Sequence, residues 1–467
     1  MGQSEVIEFF ERMNIEHPGK KFTKEEIETA IRKKIKGYTL KSMYEHGDIK
    51  REKESVKIDS GGETRRYTYN YIPKELSVTN FKYRKSSAIP DFYNFSVDER
   101  IKIISEFCNL KEEEKRMFEE LDVKDLIGEN TVSIFPKFLG FANYFKINNR
   151  DFFIPYVTEE TSVIAGACYG AKLCYDSGGI KASVVESKEY SKAIGQVQLV
   201  NVKNPEDAMK KILERKDKLL KKARKDHRHS KPYDLSIKKF ENKSGNMLIA
   251  DLHVNPKDAM GAAVASDMAD SIAEELSNIS GAEEYSRGII SNYSGRLTKA
   301  RMKVPIEKLA RKSRITGNEW SGQEVARGIL RRSEWAKVDI ERAVTNNKGI
   351  MNDVISVAEA TAQDTRAIEA ANSVYAIRNG GYQPLSDWYA SGEYLYGELN
   401  MLIPCGIVGG EIKNYPMAKF LIDRVLKLKS ADQLAEIMTS AGLAGNLAAL
   451  SMNSTVGLKE GHKPLRK

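Results

Sequence analysis

Thr345-Asn346-Asn347-Lys348-Gly349-Ile350-Met351-Asn352 is the stretch from which the rest of the chain is best read. A lysine set among small and apolar neighbours is costly, because desolvation penalises its charged form. It is tolerated where acidic groups compensate it or where chemistry needs a poised ammonium. Gly349 lets a backbone approach a ligand, and a helix that begins there projects Asn352 from the face of Lys348, one turn on. The plain alternative is a helix N-terminus that happens to carry an exposed lysine.

Working outward, Arg342 lies six residues before the lysine and Asp364 opens a new helical run after it. Read together, Arg342-Ala-Val-Thr-Asn-Asn-Lys348-Gly-Ile-Met-Asn352 resembles the lysine motif of the hydroxymethylglutaryl-CoA reductases of the second, bacterial and archaeal class. The resemblance runs from about Ser87 to His462 and includes several motifs in that family's order. Tyr156-Val-Thr-Glu159-Glu160-Thr161-Ser162 precedes a helix with a small-residue face. On its own it reads as carboxylates favoured at a helix N-terminus; the resemblance makes Glu160 the catalytic carboxylate and Ser162 a substrate contact. It likewise implies that Asp364, otherwise a helix cap, partners Lys348, and that His462 in Glu460-Gly461-His462 is catalytic. Arg342, Asn352 and Asn292 become substrate-binding residues on the same basis.

Residues 191–294 read as a separate unit without any resemblance. Strand Ile194–Val202, a helix from Pro205 to about Lys225, strands Leu235–Phe240 and Met247–Val254, a helix Ala259–Ile279 and a strand at Gly288–Ser291 give βαββαβ, the order of a ferredoxin-like domain. No GxGxxG follows a strand, so no Rossmann fold is expected. In the family such an insertion carries the nicotinamide cofactor. Asp258-Ala-Met260-Gly261-Ala262-Ala263 resembles its signature, with Ala263 and Ser266 standing where asparagines are usual. Lys222, Arg224 and Asp226 fall where the family reads the adenosine ribose. Cations suit a 2′-phosphate, so NADPH is expected, with NADH, which Asp226 would suit, as the alternative. A solvated helix end placing cations against its own dipole accounts for the same run.

The expected fold class is α+β. A helix-rich substrate-binding domain (87–190 and 295–467) is interrupted by the 191–294 cofactor domain and preceded by a winged-helix-like domain (1–86). That first segment combines a capping box at Thr23–Glu26, a second helix ending at His46-Gly47, and two alternating stretches around Ser60-Gly-Gly, a hairpin signal. It is a nucleic-acid-binding candidate, or else a docking module with a solvated basic face; the family does not normally carry it. Val97–Leu110 and Glu112–Leu121 read as amphipathic helices.

Composition sets the outer bounds. The 467 residues carry a formal charge of +9, which favours anionic partners such as nucleotides and coenzyme A. Four cysteines without metal-ligand spacing or a disulfide pattern read as a reduced, cytoplasmic protein, with no metal site expected. No apolar run approaches the ~18 residues of a membrane span, and no signal peptide is expected. Around Glu129-Asn130 the sequence resembles the family's dimer-forming motif, so a homodimer is expected. The class resembled continues past the histidine into a small closing domain, whereas this sequence ends five residues after His462. The expected activity is reduction of 3-hydroxy-3-methylglutaryl-CoA to mevalonate and CoA with two NAD(P)H. The competing expectation is a ligand-sensing regulator on the same scaffold.

Overall fold

The computed structural model describes residues 22–30, 49–57, 63–71, 96, 98–99, 101–102, 112, 130–131, and 135–457 apart from 188, 228 and 243–244. The chain divides into two compact units, Met1–Pro136 and Lys137–Lys467.

In the first unit, β1 (Phe22–Thr23) leads directly into α1 (Lys24–Ala30). β2 (Ile49–Lys57) and β3 (Glu63–Tyr71) form the hairpin expected around Ser60, in the register Lys57 opposite Glu63, and β1 adds to β3. Phe22 and Ile27 are buried. The helix expected to end at His46, most of those expected at 97–121, and Glu129 lie outside the described residues.

The second unit is built on a six-stranded sheet in the order β15-β16-β12-β6-β4-β5. Its strands are β4 (Phe138–Ile147), β5 (Arg150–Thr158), β6 (Ile180–Val184), β12 (Arg296–Pro305), β15 (Ser386–Ser391) and β16 (Tyr394–Ile403). β12 alternates buried and more exposed residues along its length, which turns Ala300, Met302 and Val304 onto one face. On that face lie α2 (Thr161–Tyr175), α6 (Gly322–Val338), α7 (Ile340–Ala360), α8 (Thr365–Tyr375) and α10 (Ala431–Asn453). α10 is buried on nearly every side, as its Ala-rich sequence allows, and it contacts α2, α7 and the sheet. A five-residue helix, α9 (Pro416–Phe420), precedes it, and between β12 and α6 the short β13 (Arg311–Lys312) and β14 (Glu319–Trp320) pair antiparallel.

Between β6 and β12 the chain builds a second sheet with its own core. β7 (Ala193–Val200), β9 (Gly245–Asn255) and β8 (Lys231–Asn242) pair antiparallel. The short β10 (Glu284–Tyr285) and β11 (Ile289–Ile290) complete the edge beside β7. α5 (Ala262–Ser280) packs against β7, with α3 (Pro205–Glu214) and α4 (Lys216–Ala223) beside it. The single helix expected from Pro205 to Lys225 is therefore two. Arg215 leaves helical geometry at φ −101°, ψ 8°, and its amide reaches back to close α3 while the chain restarts. α5 starts three residues later than the sequence suggests, because Gly261 takes φ 107°, a left-handed conformation that residues with a Cβ avoid.

Candidate active site

Lys348 does not begin a helix; it sits in the middle of α7. The start is set nine residues earlier by Asp339, whose carboxylate accepts the Glu341 amide at 2.9 Å. Nothing then stops the helix before Thr361. Its buried stripe runs through Ala343, Asn346, Asn347, Ile350, Asp353, Val354 and Val357. Three polar residues in an otherwise apolar stripe must find partners. Asn347 donates to the Gln383 carbonyl at 2.9 Å and accepts from the Leu385 amide at 2.9 Å. Asn346 donates to Ser386 Oγ at 3.1 Å and accepts from Asn446 Nδ2 at 2.9 Å, while Trp388 Nε1 donates to Asn446 Oδ1 at 2.8 Å. This chain of amides locks α7 against α10 and β15.

The remaining face of α7 borders two cavities. One, of about 480 Å³, is lined by Arg342, Thr345, Lys348, Gly349 and Asn352 of α7. Glu160, Ser162, Arg332, Trp335 and Asn446 belong to the same lining. The other, of about 160 Å³, is lined by Lys137, Glu159, Glu160, Lys348, Asn352, Glu359 and Glu369. Glu160, Val163, Lys348 and Asn352 belong to both, so they form the wall between them. Lys137 anchors the smaller cavity: its ammonium donates to Glu359 at 2.8 Å and lies 3.8 Å from Glu159. The Glu359 hydrogen bond holds the Lys137 pKa above its ordinary value.

Glu160 is the N-cap residue of α2 and accepts from Ser162 Oγ at 2.7 Å, which fixes the carboxylate beside the cavity. The residue itself is exposed. The buried carboxyl lining the larger cavity is Asp353. Burial pushes its pKa well above the carboxylate range, although the Tyr156 hydroxyl donates to it at 3.2 Å. A Cβ on Gly445 would come within 1.8 Å of Asp353 Oδ2, so α10 accommodates this carboxyl only by carrying glycine there. Asp364 caps α8, accepting from the Arg366 and Ala367 amides at 3.1 Å each, and its carboxylate meets Arg366 at 3.3 Å. It lines neither cavity, and nor does Asn292, exposed after β11. His462 lies outside the described residues.

At the other candidate region, the loop before α5 is held by hydrogen bonds. Asp258 accepts from the Ala431 amide at 2.9 Å, and its carbonyl accepts from Ile407 at 2.8 Å. Arg296, fully buried, closes the loop. Its Nε donates to Asp432 at 2.8 Å, its Nη1 to the Cys405 carbonyl at 2.5 Å, and its Nη2 to the carbonyls of Lys257 and Ala259. Asp258 is thus tied into the scaffold. Met260, Gly261 and Ala262 stand at the mouth of α5, whose N-terminus has no side-chain cap. Lys222 is engaged by Glu275 at 3.1 Å, and Arg224 and Asp226 are exposed.

Lys137, Arg332, Asp353 and Asn446 were not singled out as site residues from the sequence. For Asp353 and Asn346 a signal existed, since polar residues recurring on an apolar helical stripe demand buried partners. Lys137 and Arg332 arrive through tertiary packing alone. Among the described residues no group of side chains could hold a metal ion, and no helix is long and apolar enough to cross a membrane.

Residues 96–467 match the family model for hydroxymethylglutaryl-coenzyme A reductase. A 3-hydroxy-3-methylglutaryl-coenzyme A reductase of Archaeoglobus fulgidus is 35% identical over 395 residues, covering 81% of this chain and 86% of that one. A probable reductase of the same name from Borreliella burgdorferi is 29% identical over 385 residues, covering 76% and 82%. Among solved structures, the class II reductase of Streptococcus pneumoniae bound to NADPH in open conformations aligns with a TM-score of 0.66 and 32% identity. That alignment covers 79% of this chain and 89% of the other.

The chain belongs to the hydroxymethylglutaryl-coenzyme A reductase family, on the class II side. It is an NAD(P)H-dependent oxidoreductase whose reaction is the reduction of 3-hydroxy-3-methylglutaryl-CoA in the mevalonate pathway.

Proposed function

We propose that this reduction takes place at the wall between the two cavities, where Glu160, Lys348 and Asn352 meet. The observation that carries the reading is that these three residues, from two separate segments, line both cavities at once. Overall, one thioester, two NADPH and two protons give one primary alcohol, one CoA thiol and two NADP⁺. The reduced nicotinamide supplies a hydride in each of the two steps. Each step leaves negative charge on the substrate oxygen, and the Lys348 ammonium stabilises it where it develops. Asn352, one turn along α7, orients that ammonium. Asp364, its carboxylate fixed by α8 amides, acts on it at longer range. Glu160, steadied by Ser162, gives a proton to the alcohol oxygen, and His462 protonates the departing thiolate. Arg342 pairs with the substrate's free carboxylate, for which a planar fork is suited.

The 191–294 insertion is assigned to NADPH as a ferredoxin-like domain, supported by its βαββαβ order and the strand sequence β10-β7-β9-β8. The uncapped N-terminus of α5 at Gly261 and Ala262 fits a phosphate approaching backbone amides. Lys222 and Arg224 add positive charge on the adenosine side. The large domain then comprises 87–190 and 295–467, with Asn292 at the junction as a substrate contact.

The test is NADPH oxidation with purified protein, two oxidised per CoA thiol released. Lys348→Ala is expected to lower kcat about 10²–10³-fold with the circular dichroism unchanged; a variant near the wild-type rate would refute the role of this lysine.

A homodimer is the working unit in this reading. Leu139 and Phe141 on β4 and Phe153 on β5 share one face at the sheet's edge and are exposed, an apolar patch that a second copy would cover. Sedimentation at micromolar concentration should give twice 52.6 kDa. An active monomer would contradict it.

A further inference from the structure

Arg332 on α6 and Arg342 on α7 face the larger cavity together. Each is half-buried. Arg342 Nε is buried without a hydrogen-bond partner, and Arg332 spends one nitrogen on its own helix, donating from Nη1 to the Gly328 carbonyl at 3.2 Å. Burial and the like charge of Arg342 hold the Arg332 pKa below its ordinary value, with no carboxylate offsetting them. Among the described residues, two carboxyl groups line this cavity. Glu160 is engaged by Ser162, and Asp353 is buried where its neutral form is favoured. Two guanidinium groups gathered and partly desolvated without a counter-ion cost stability. The arrangement is resolved by an anion with two oxygens, since each fork can donate to both.

We propose that Arg332 is a second carboxylate-binding residue, clamping the free carboxylate of the substrate's acyl group jointly with Arg342 and selecting acyl-CoA substrates that end in that charge. This rests on the reductase reading of the same cavity and deepens it. The lysine chemistry at the cavity wall needs the acyl chain laid along α7. An anchor at the Arg342 end sets that direction, and a second guanidinium sharpens the penalty for a neutral terminus. A phosphate of the CoA moiety shares the anionic chemistry, so the test separates the two.

The test compares 3-hydroxy-3-methylglutaryl-CoA with its counterpart bearing a primary amide in place of the free carboxylate, on wild type, Arg332→Gln and Arg332→Lys. Calorimetric Kd is measured alongside KM and kcat, so the clamp is read even if turnover fails. For the acid, Arg332→Gln is expected to raise Kd and KM about 10–100-fold, the size of a charge-assisted hydrogen bond to carboxylate. kcat should fall far less, and Arg332→Lys should recover part of the affinity. The amide should bind wild type weakly and be indifferent to Arg332. Unchanged acid binding in Arg332→Gln overturns the proposal. So does an equal loss for acid and amide, which would place the phosphate of CoA, or a purely structural role, at Arg332. Absence of wild-type turnover with acid-selective binding intact would fault the reductase reading and leave the clamp standing.

Discussion

Arg296 and Arg342 are both drawn into the second unit, and they have opposite surroundings. Arg296 is fully buried with each of its three nitrogens donating, to Asp432 and to three backbone carbonyls. Arg342 is half-buried, leaves Nε unpartnered, and faces a second arginine across a cavity. One guanidinium completes the scaffold; the other has a buried nitrogen without a partner, which the proposed substrate carboxylate would meet. Motif resemblance cannot make that distinction. The accounting of donors and acceptors does, because a buried polar group is satisfied unless it serves something else.

The contrast is sharpest in stability. Arg296→Met should cost about 3–5 kcal/mol, the usual loss when one partner of a buried charged network is removed. Asp432 would lose the nearer of its two cations, keeping Lys192 at 3.5 Å, and the carbonyls of Lys257, Ala259 and Cys405 would lose their Arg296 donor. Urea unfolding reads it directly; a loss below 1 kcal/mol would mean water replaces the guanidinium.

Asp353 offers an intermediate case. Burial favours the protonated form of its carboxyl in the folded chain, whereas in the unfolded chain it ionises above about pH 3.9. Unfolding between that value and the raised folded pKa therefore releases a proton. Stability falls as pH rises through that window, by about 1.4 kcal/mol per pH unit. Asp353→Asn carries no such proton, so its stability relative to wild type should climb with that slope as pH rises above about 3.9, until the raised folded pKa is passed. Parallel pH profiles for the two proteins would show that Asp353 is ionised in place.

The smallest stability effect belongs to Arg342→Gln. Removing a cation that repels Arg332 should change unfolding free energy by less than about 1 kcal/mol, within the range for residues without buried partners. Affinity for the acyl substrate, by contrast, should drop. A large loss of stability with substrate affinity intact would erase the difference between the two arginines.

The sequence showed part of this. Lys348, Glu160 and Ser162 could be named from motifs, and the cavities bring them together. The strand-and-helix order at 191–294 followed from periodicity, because each element there buries one face. The placing of Lys348 at a helix start failed, since Asn346, Asn347 and Gly349 look like breakers locally. Their amides are in fact satisfied by residues up to 100 positions away, such as Asn446. Arg215 interrupts its helix although no proline or glycine marks the spot. Arg332 and Lys137 line the cavities through tertiary packing, which no local pattern encodes.

Gly445 gives the Asp353 arrangement a consequence for descent. With a Cβ there falling 1.8 Å from the carboxyl oxygen, the two positions behave as lock and wedge. A lineage that gains any larger residue at 445 must first surrender the acid at 353. One that begins with a small residue at 353 is free to fill 445. Space alone therefore couples the two positions, whatever selection for activity asks of either.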